Sequence, residues 1–161
     1  MANNVYSTIQ IETSNSEAEA AFLRVFTELE VFNEVDIAYC TFFPTNEEIV
    51  DTHFMDEWIG PRTAELTKFM GTEVEIKSAW ISPHKFLENL LEHLRTFDIN
   101  VKLSMTYEDE FLNFAGVYVN EKMREESGGW FKKGFDDVDF EDDFLAYVID
   151  VVDEWRIELL G

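Results

Sequence analysis

Residues 5–11, Val-Tyr-Ser-Thr-Ile-Gln-Ile, alternate apolar and polar with a period of two, the pattern of a strand with one buried face. A helical period then takes over. Ser14, Asn15 and Ser16 are capping types, and Ser16 with Glu19 forms a capping box. Ala18, Phe22, Val25, Phe26 and Leu29 fall on one helical face, which runs to about Phe32. The same switch recurs further on. Residues 74–81 alternate as a strand, and Ser82-Pro83 supplies an N-cap with proline at the first helical position. Phe86, Leu87, Leu90, Leu91 and Leu94 make an amphipathic helix before alternation returns over 99–107.

Residues 36–43 read as a further β-rich stretch ending at Pro44. Over 45–72, Asn46 caps a short helix at 47–56, and Pro61 begins another that runs to Met70 before Gly71 stops it. The turn Glu108-Asp109-Glu110 leads to strand 112–119, a hairpin partner for the strand before it. The order is β-α-β, an insertion, then β-α-β with an extra strand. Two split βαβ halves imply an α+β, ferredoxin-like sandwich. A doubly wound parallel sheet would want continuous apolar strands and glycine-rich loops; these strands alternate, and the chain has only 7 glycines. The expected division is 1–121, a ferredoxin-like domain with 45–72 inserted, and 122–161, a linker plus an acidic helix packed on the same domain.

The last third has its own chemistry. Lys122, Arg124, Lys132 and Lys133 surround Ser127-Gly128-Gly129, a loop or linker signal over 122–134. Phe140, Phe144, Val148, Val151 and Trp155 then recur at helical spacing, placing a helix near 140–160. The chain carries 34 acids against 12 Lys and Arg, a net charge of −22, and from Gly134 onward ten acids face one base. With 15 Phe, 5 Tyr and 4 Trp, this is not the composition of a disordered acidic tail. Direct nucleic-acid binding is also excluded, because phosphate contacts need a basic footprint.

On a wheel of about 100° per residue the five apolar positions share an arc of about 80°. Asp142, Asp143, Asp150, Asp153 and Glu154 occupy a separate arc. They span about 18 Å, one charge roughly every 4 Å, near the 3.4 Å spacing along one DNA strand. A duplex mimic fits that density, and so does a solvated face kept soluble by its charge.

Catalytic and metal patterns are thin. His53, His84 and His93 form no metal-ligand spacing, Cys40 has no local base and reads as a buried inert thiol, and no phosphate-binding glycine loop occurs. Asp136, Asp137 and Asp139 open an acidic run, but from Asp137 a calcium loop would need glycine where Asp142 stands and glutamate where Val148 stands. No enzyme activity, metal or cofactor is expected. The start lacks the pattern of a signal peptide, and no run approaches the roughly 18 apolar residues of a membrane span, so a cytoplasmic location is expected.

The opening Met-Ala-Asn-Asn-Val-Tyr-Ser-Thr-Ile resembles the first strand of the Api92-like, YubB ferredoxin-like proteins of phages and plasmids. Three more segments are similar in order and spacing: Phe43-Pro44-Thr45-Asn46-Glu47-Glu48-Ile49, Ile76-Lys77-Ser78-Ala79-Trp80-Ile81-Ser82-Pro83, and Tyr107-Glu108-Asp109-Glu110 with Phe114-Ala115-Gly116. Members tend to carry Trp-Gly-Thr-Lys-Trp where this chain has Trp58-Ile59-Gly60-Pro61-Arg62-Thr63. The resemblance covers residues 1 to about 120. It implies a phage or mobile-element origin and a ferredoxin-like fold without an iron–sulfur cluster.

The expected function is that of a non-enzymatic phage accessory protein in the host cell. It would bind a basic, nucleic-acid-binding surface of a host protein, as a DNA mimic that inhibits host defence. Asp136, Asp137, Asp139, Asp142, Asp143, Asp150, Asp153 and Glu154 would stand in for phosphates, with Trp130 and Phe131 as anchors. Two alternatives stay open. A small molecule or nucleotide derivative could bind beside the sheet through Trp58, Arg62 and Trp80, or an open sheet edge could pair with a second copy in a homodimer.

Overall fold

The computed structural model describes residues 3–31, 64–135 and 141–161. The expected strand at 36–43, the helix at 47–56, and Cys40, His53, Trp58 and Arg62 lie outside the described residues.

β1 (Asn4–Glu12) follows the alternation read from sequence, with Val5, Ile9 and Ile11 buried on one face. α1 (Ser16–Val31) begins one residue after its cap. That cap is Asn15 rather than Ser16, because the Asn15 side-chain oxygen accepts from both Glu17 N–H (2.9 Å) and Ala18 N–H (3.1 Å). Ala18, Phe22, Val25 and Phe26 are its buried stripe.

β2 (Ala64–Met70) and β3 (Glu73–Ala79) form a hairpin. The helix expected from Pro61 to Met70 is therefore a strand over its described part. Leu66 and Phe69, the side chains packed against the core, are three apart because a register shift falls between Leu66 and Lys68. A bulge of that kind gives a strand an inward spacing resembling that of a helix. Gly71 does not stop a helix either. Its φ of +64° makes the two-residue turn with Thr72.

α2 (His84–Arg95) buries Phe86, Leu87, Leu90, Leu91 and Leu94, the five positions the periodicity selects. Each such side chain contributes about 1.5–3 kcal/mol of burial. Its N-cap residue is Pro83, with no side-chain cap, so the expected Ser82 cap does not form. β4 (Lys102–Asp109), β5 (Phe114–Val119) and β6 (Lys122–Ser127) follow as a meander. The segment read as a linker is thus β6 and a short helix, α3 (Gly128–Gly134). α4 (Glu141–Leu160) closes the chain where a helix was expected.

The result is an α+β protein in which, among the described residues, six strands form one sheet in the order β2-β3-β1-β4-β5-β6, every neighbouring pair antiparallel. Residues of α1 and α2 share one core with Ile9, Ile76, Leu103, Met105 and Tyr107 of the sheet. A second core on the opposite face joins Ala115, Val117 and Val119 of β5 to Phe131, Val148, Val152 and Trp155. Gly116 sits between Tyr107 and Glu125 in the strand register, and the Tyr107 hydroxyl donates to the Glu125 carboxylate at 2.8 Å. A Cβ at Gly116 would lie 2.6 Å from the Arg124 carbonyl oxygen and against the end of the tyrosine ring. Gly116→Ala is expected to cost about 2 kcal/mol, as overpacking does; an unchanged denaturant midpoint would show that the sheet yields there freely. Among the described residues no helix is long and apolar enough to cross a membrane.

Candidate functional site

α4 lies over β5 and β4 and buries Val148, Val152 and Trp155, with Phe144 and Val151 half-buried beside them. The expected stripe is therefore present but turned, so that Val152 takes a core position. Lys102 Nζ donates to the Leu160 carbonyl at 3.2 Å, which sets the C-terminal end of α4 by the start of β4. Farther toward the N-terminal end, Ile149 and Glu108 line one groove. The helix thus runs antiparallel to β4.

This seating decides which acids are available. Asp143, Asp150 and Glu154 are exposed. Asp153 is half-buried and accepts from Arg156 Nε at 2.9 Å, so part of its charge is already paired. Asp142 lies in the first turn of α4; Asp136, Asp137 and Asp139 lie outside the described residues. Leu145, Ile149 and Ile157 are also exposed, Ile157 beside the acids and Leu145 and Ile149 on the neighbouring flank of the helix. The outer surface of α4 is thus an acidic face that includes Ile157, bordered on one flank by Leu145 and Ile149.

The two expected anchors separate. Phe131 is 1% exposed and packs on Trp155 with ring centroids 5.5 Å apart, so it belongs to the core. Trp130 is 40% exposed. Its backbone N–H is accepted by Ser127 Oγ at 3.2 Å, which caps α3. Arg124 lies over Trp155 at 4.0 Å from the ring centroid and 5.7 Å from that of Trp130, a cation–π roof for the second core.

A groove that the sequence reading missed runs between α4 and the sheet. Thr8, Thr106 and Glu108 lie on the sheet side, and Ile149, Asp153 and Arg156 on the helix side. Burial, and then the charge of Glu75 on β3, push the Glu108 pKa up to about 7. Trp80, expected beside the sheet with Trp58 and Arg62, does not line this groove. It stands exposed just after β3. His84 Nδ1 lies 3.0 Å from the Ser82 carbonyl, and burial followed by Arg24 lowers the His93 pKa. Among the described residues no three His, Cys, Asp or Glu side chains converge on a metal position.

No protein-family model, curated protein or solved structure matches this chain.

Proposed function

We propose that this chain is a non-enzymatic phage accessory protein that binds a basic, nucleic-acid-binding surface of a host protein. The observation that carries the reading is the outer surface of α4, where exposed Asp143, Asp150 and Glu154 share one face with exposed Ile157, and exposed Leu145 and Ile149 lie on the neighbouring flank. Acids give long-range attraction and fast, salt-dependent association, while the apolar side chains supply contact area that phosphate mimicry alone lacks. The ferredoxin-like assignment is part of the same proposal. It is supported by the order β2-β3-β1-β4 with α1 and α2 sharing one core, to which β5 and β6 add at the β4 edge.

The test is capture from host lysate by the wild type and by the triple variant D143K/D150K/E154K, over salt from about 0.05 to about 0.5 M. The expected result is one nucleic-acid-binding protein held at low salt, released as salt rises and lost in the variant. Capture that persists unchanged across that range, or of bulk basic proteins only, removes the proposal.

The alternatives fare less well. An anionic nucleotide is disfavoured in a groove where Glu108, Asp150 and Asp153 meet only Arg156, itself paired. Of the two sheet edges among the described residues, the β6 edge reads Lys-Met-Arg-Glu-Glu-Ser, the charged type that blunts edge pairing.

A further inference from the structure

We infer that the end of the sheet bearing Trp80, Glu110 and Phe111 is where an arginine-bearing segment of the basic partner docks. The inference rests on the partner reading above. Trp80 has φ +70°, and Ile81 N–H bonds the Ala79 carbonyl across it at 2.9 Å. That is a three-residue turn with positive φ at its centre, a rare and strained backbone state for a bulky side chain. The ring it carries is 57% exposed, so burial in the described core does not offset the strain. An outlier of this sort at a surface points to use.

The neighbours supply the charge. Trp80 N–H donates to the Asn3 carbonyl at 2.7 Å, and Glu110 N–H to the Asn4 carbonyl at 2.8 Å. The two residues therefore flank the start of β1 on its β3 and β4 sides, about 10 Å apart at the usual strand spacing. Phe111, 72% exposed, follows Glu110. Tyr6, also exposed, stands opposite Glu108 on one side and Lys77 on the other. Because α4 runs antiparallel to β4, its first turns, with exposed Asp143, come to this same end.

Two guanidinium groups suit this pair: one stacks flat on the Trp80 indole, and a second, about 10 Å away, reaches with its N–H fork the Glu110 carboxylate, whose Oε2 also accepts from Asn4 N–H at 3.2 Å. An ammonium is a compact, more strongly hydrated charge that meets only half of those demands. The spacing of about 10 Å suits arginines about three residues apart in an extended segment.

Titration calorimetry at low salt with nona-arginine and nona-lysine peptides tests this on the full chain, with Trp80→Gly, Trp80→Asn and Glu110→Gln. Gly and Asn both accept positive φ, so two folded variants are available. The wild type is expected to bind the arginine peptide at least about threefold more tightly than the lysine peptide. Both Trp80 variants should abolish that preference with the melting temperature held or raised by a few degrees, and Glu110→Gln should weaken the arginine peptide severalfold. A preference that survives in both Trp80 variants overturns the inference. So does a melting temperature lower by several degrees in both, since Trp80 would then pack within its own chain. If D143K/D150K/E154K weakens both peptides while the Trp80 variants change neither, the partner reading stands and this docking site falls. If the wild type binds neither peptide, both fall.

Discussion

Glu108→Gln is expected to stabilise the protein at pH 8 by about 2 kcal/mol and to leave it almost unchanged near pH 4.5. Burial in the groove and the neighbouring Glu75 raise the folded-state pKa of Glu108 from 4.5 to about 7. The folded protein therefore holds a proton that the unfolded chain releases over that interval. Stability from this group is complete below the unfolded value and is lost as pH rises through about 7. Above that, each folded molecule keeps a desolvated carboxylate close to a second one. A full shift of this size corresponds to about 3 kcal/mol, and partial access to water reduces it to the figure given. Gln keeps the shape and removes the charge, so thermal melts of the two proteins should diverge with pH, by roughly 4–8 °C at pH 8. Glu75→Gln should move the midpoint in the same direction by less, since its charge is the second cause. Equal melting temperatures of wild type and Glu108→Gln at both pH values would show that water reaches Glu108 freely.

That groove was not legible in the sequence, and the reason is register. Glu108-Asp109-Glu110 reads as a turn, yet Glu108 and Asp109 still lie within β4. Tyr107 faces the α1–α2 core, and Glu108 therefore faces the other way. Its relation to Glu75 depends on β1 lying between β3 and β4, which no local pattern states. The strands that pack one face on a helix layer were legible, because β1, β3 and β4 each carry an apolar row at a period of two, interrupted only by the small buried Ser7 in β1 and Ser78 in β3. The two that were misread lack one. β2 has its row broken by a bulge, and β6 is largely exposed, so no hydrophobic period marks it. Lys122 and Arg124, which made that segment read as a linker, are instead the solvated face of an edge strand, with Arg124 folded over Trp155.

Phe131→Ala is expected to cost about 3–5 kcal/mol, the range for emptying a buried aromatic site. Adjacent aromatics at 130 and 131 look equivalent in sequence, and the short helix α3 makes them unequal by turning one inward. Phe131 closes the second core between β5 and α4, 1% exposed and in contact with Trp155. The strands beneath it contribute only Ala115, Val117 and Val119, side chains too small to collapse into the space an alanine would leave. The midpoint of thermal unfolding should fall by roughly 10 °C. Trp130→Ala, at a ring 40% exposed, should cost about 1 kcal/mol, chiefly its contacts with Trp155 and Arg124. Partner capture per folded molecule should be unaffected by Phe131→Ala and reduced by D143K/D150K/E154K. The reverse pattern, with stability intact and capture lost in Phe131→Ala, would restore Phe131 as a surface anchor and require α3 to swing away from α4 on binding.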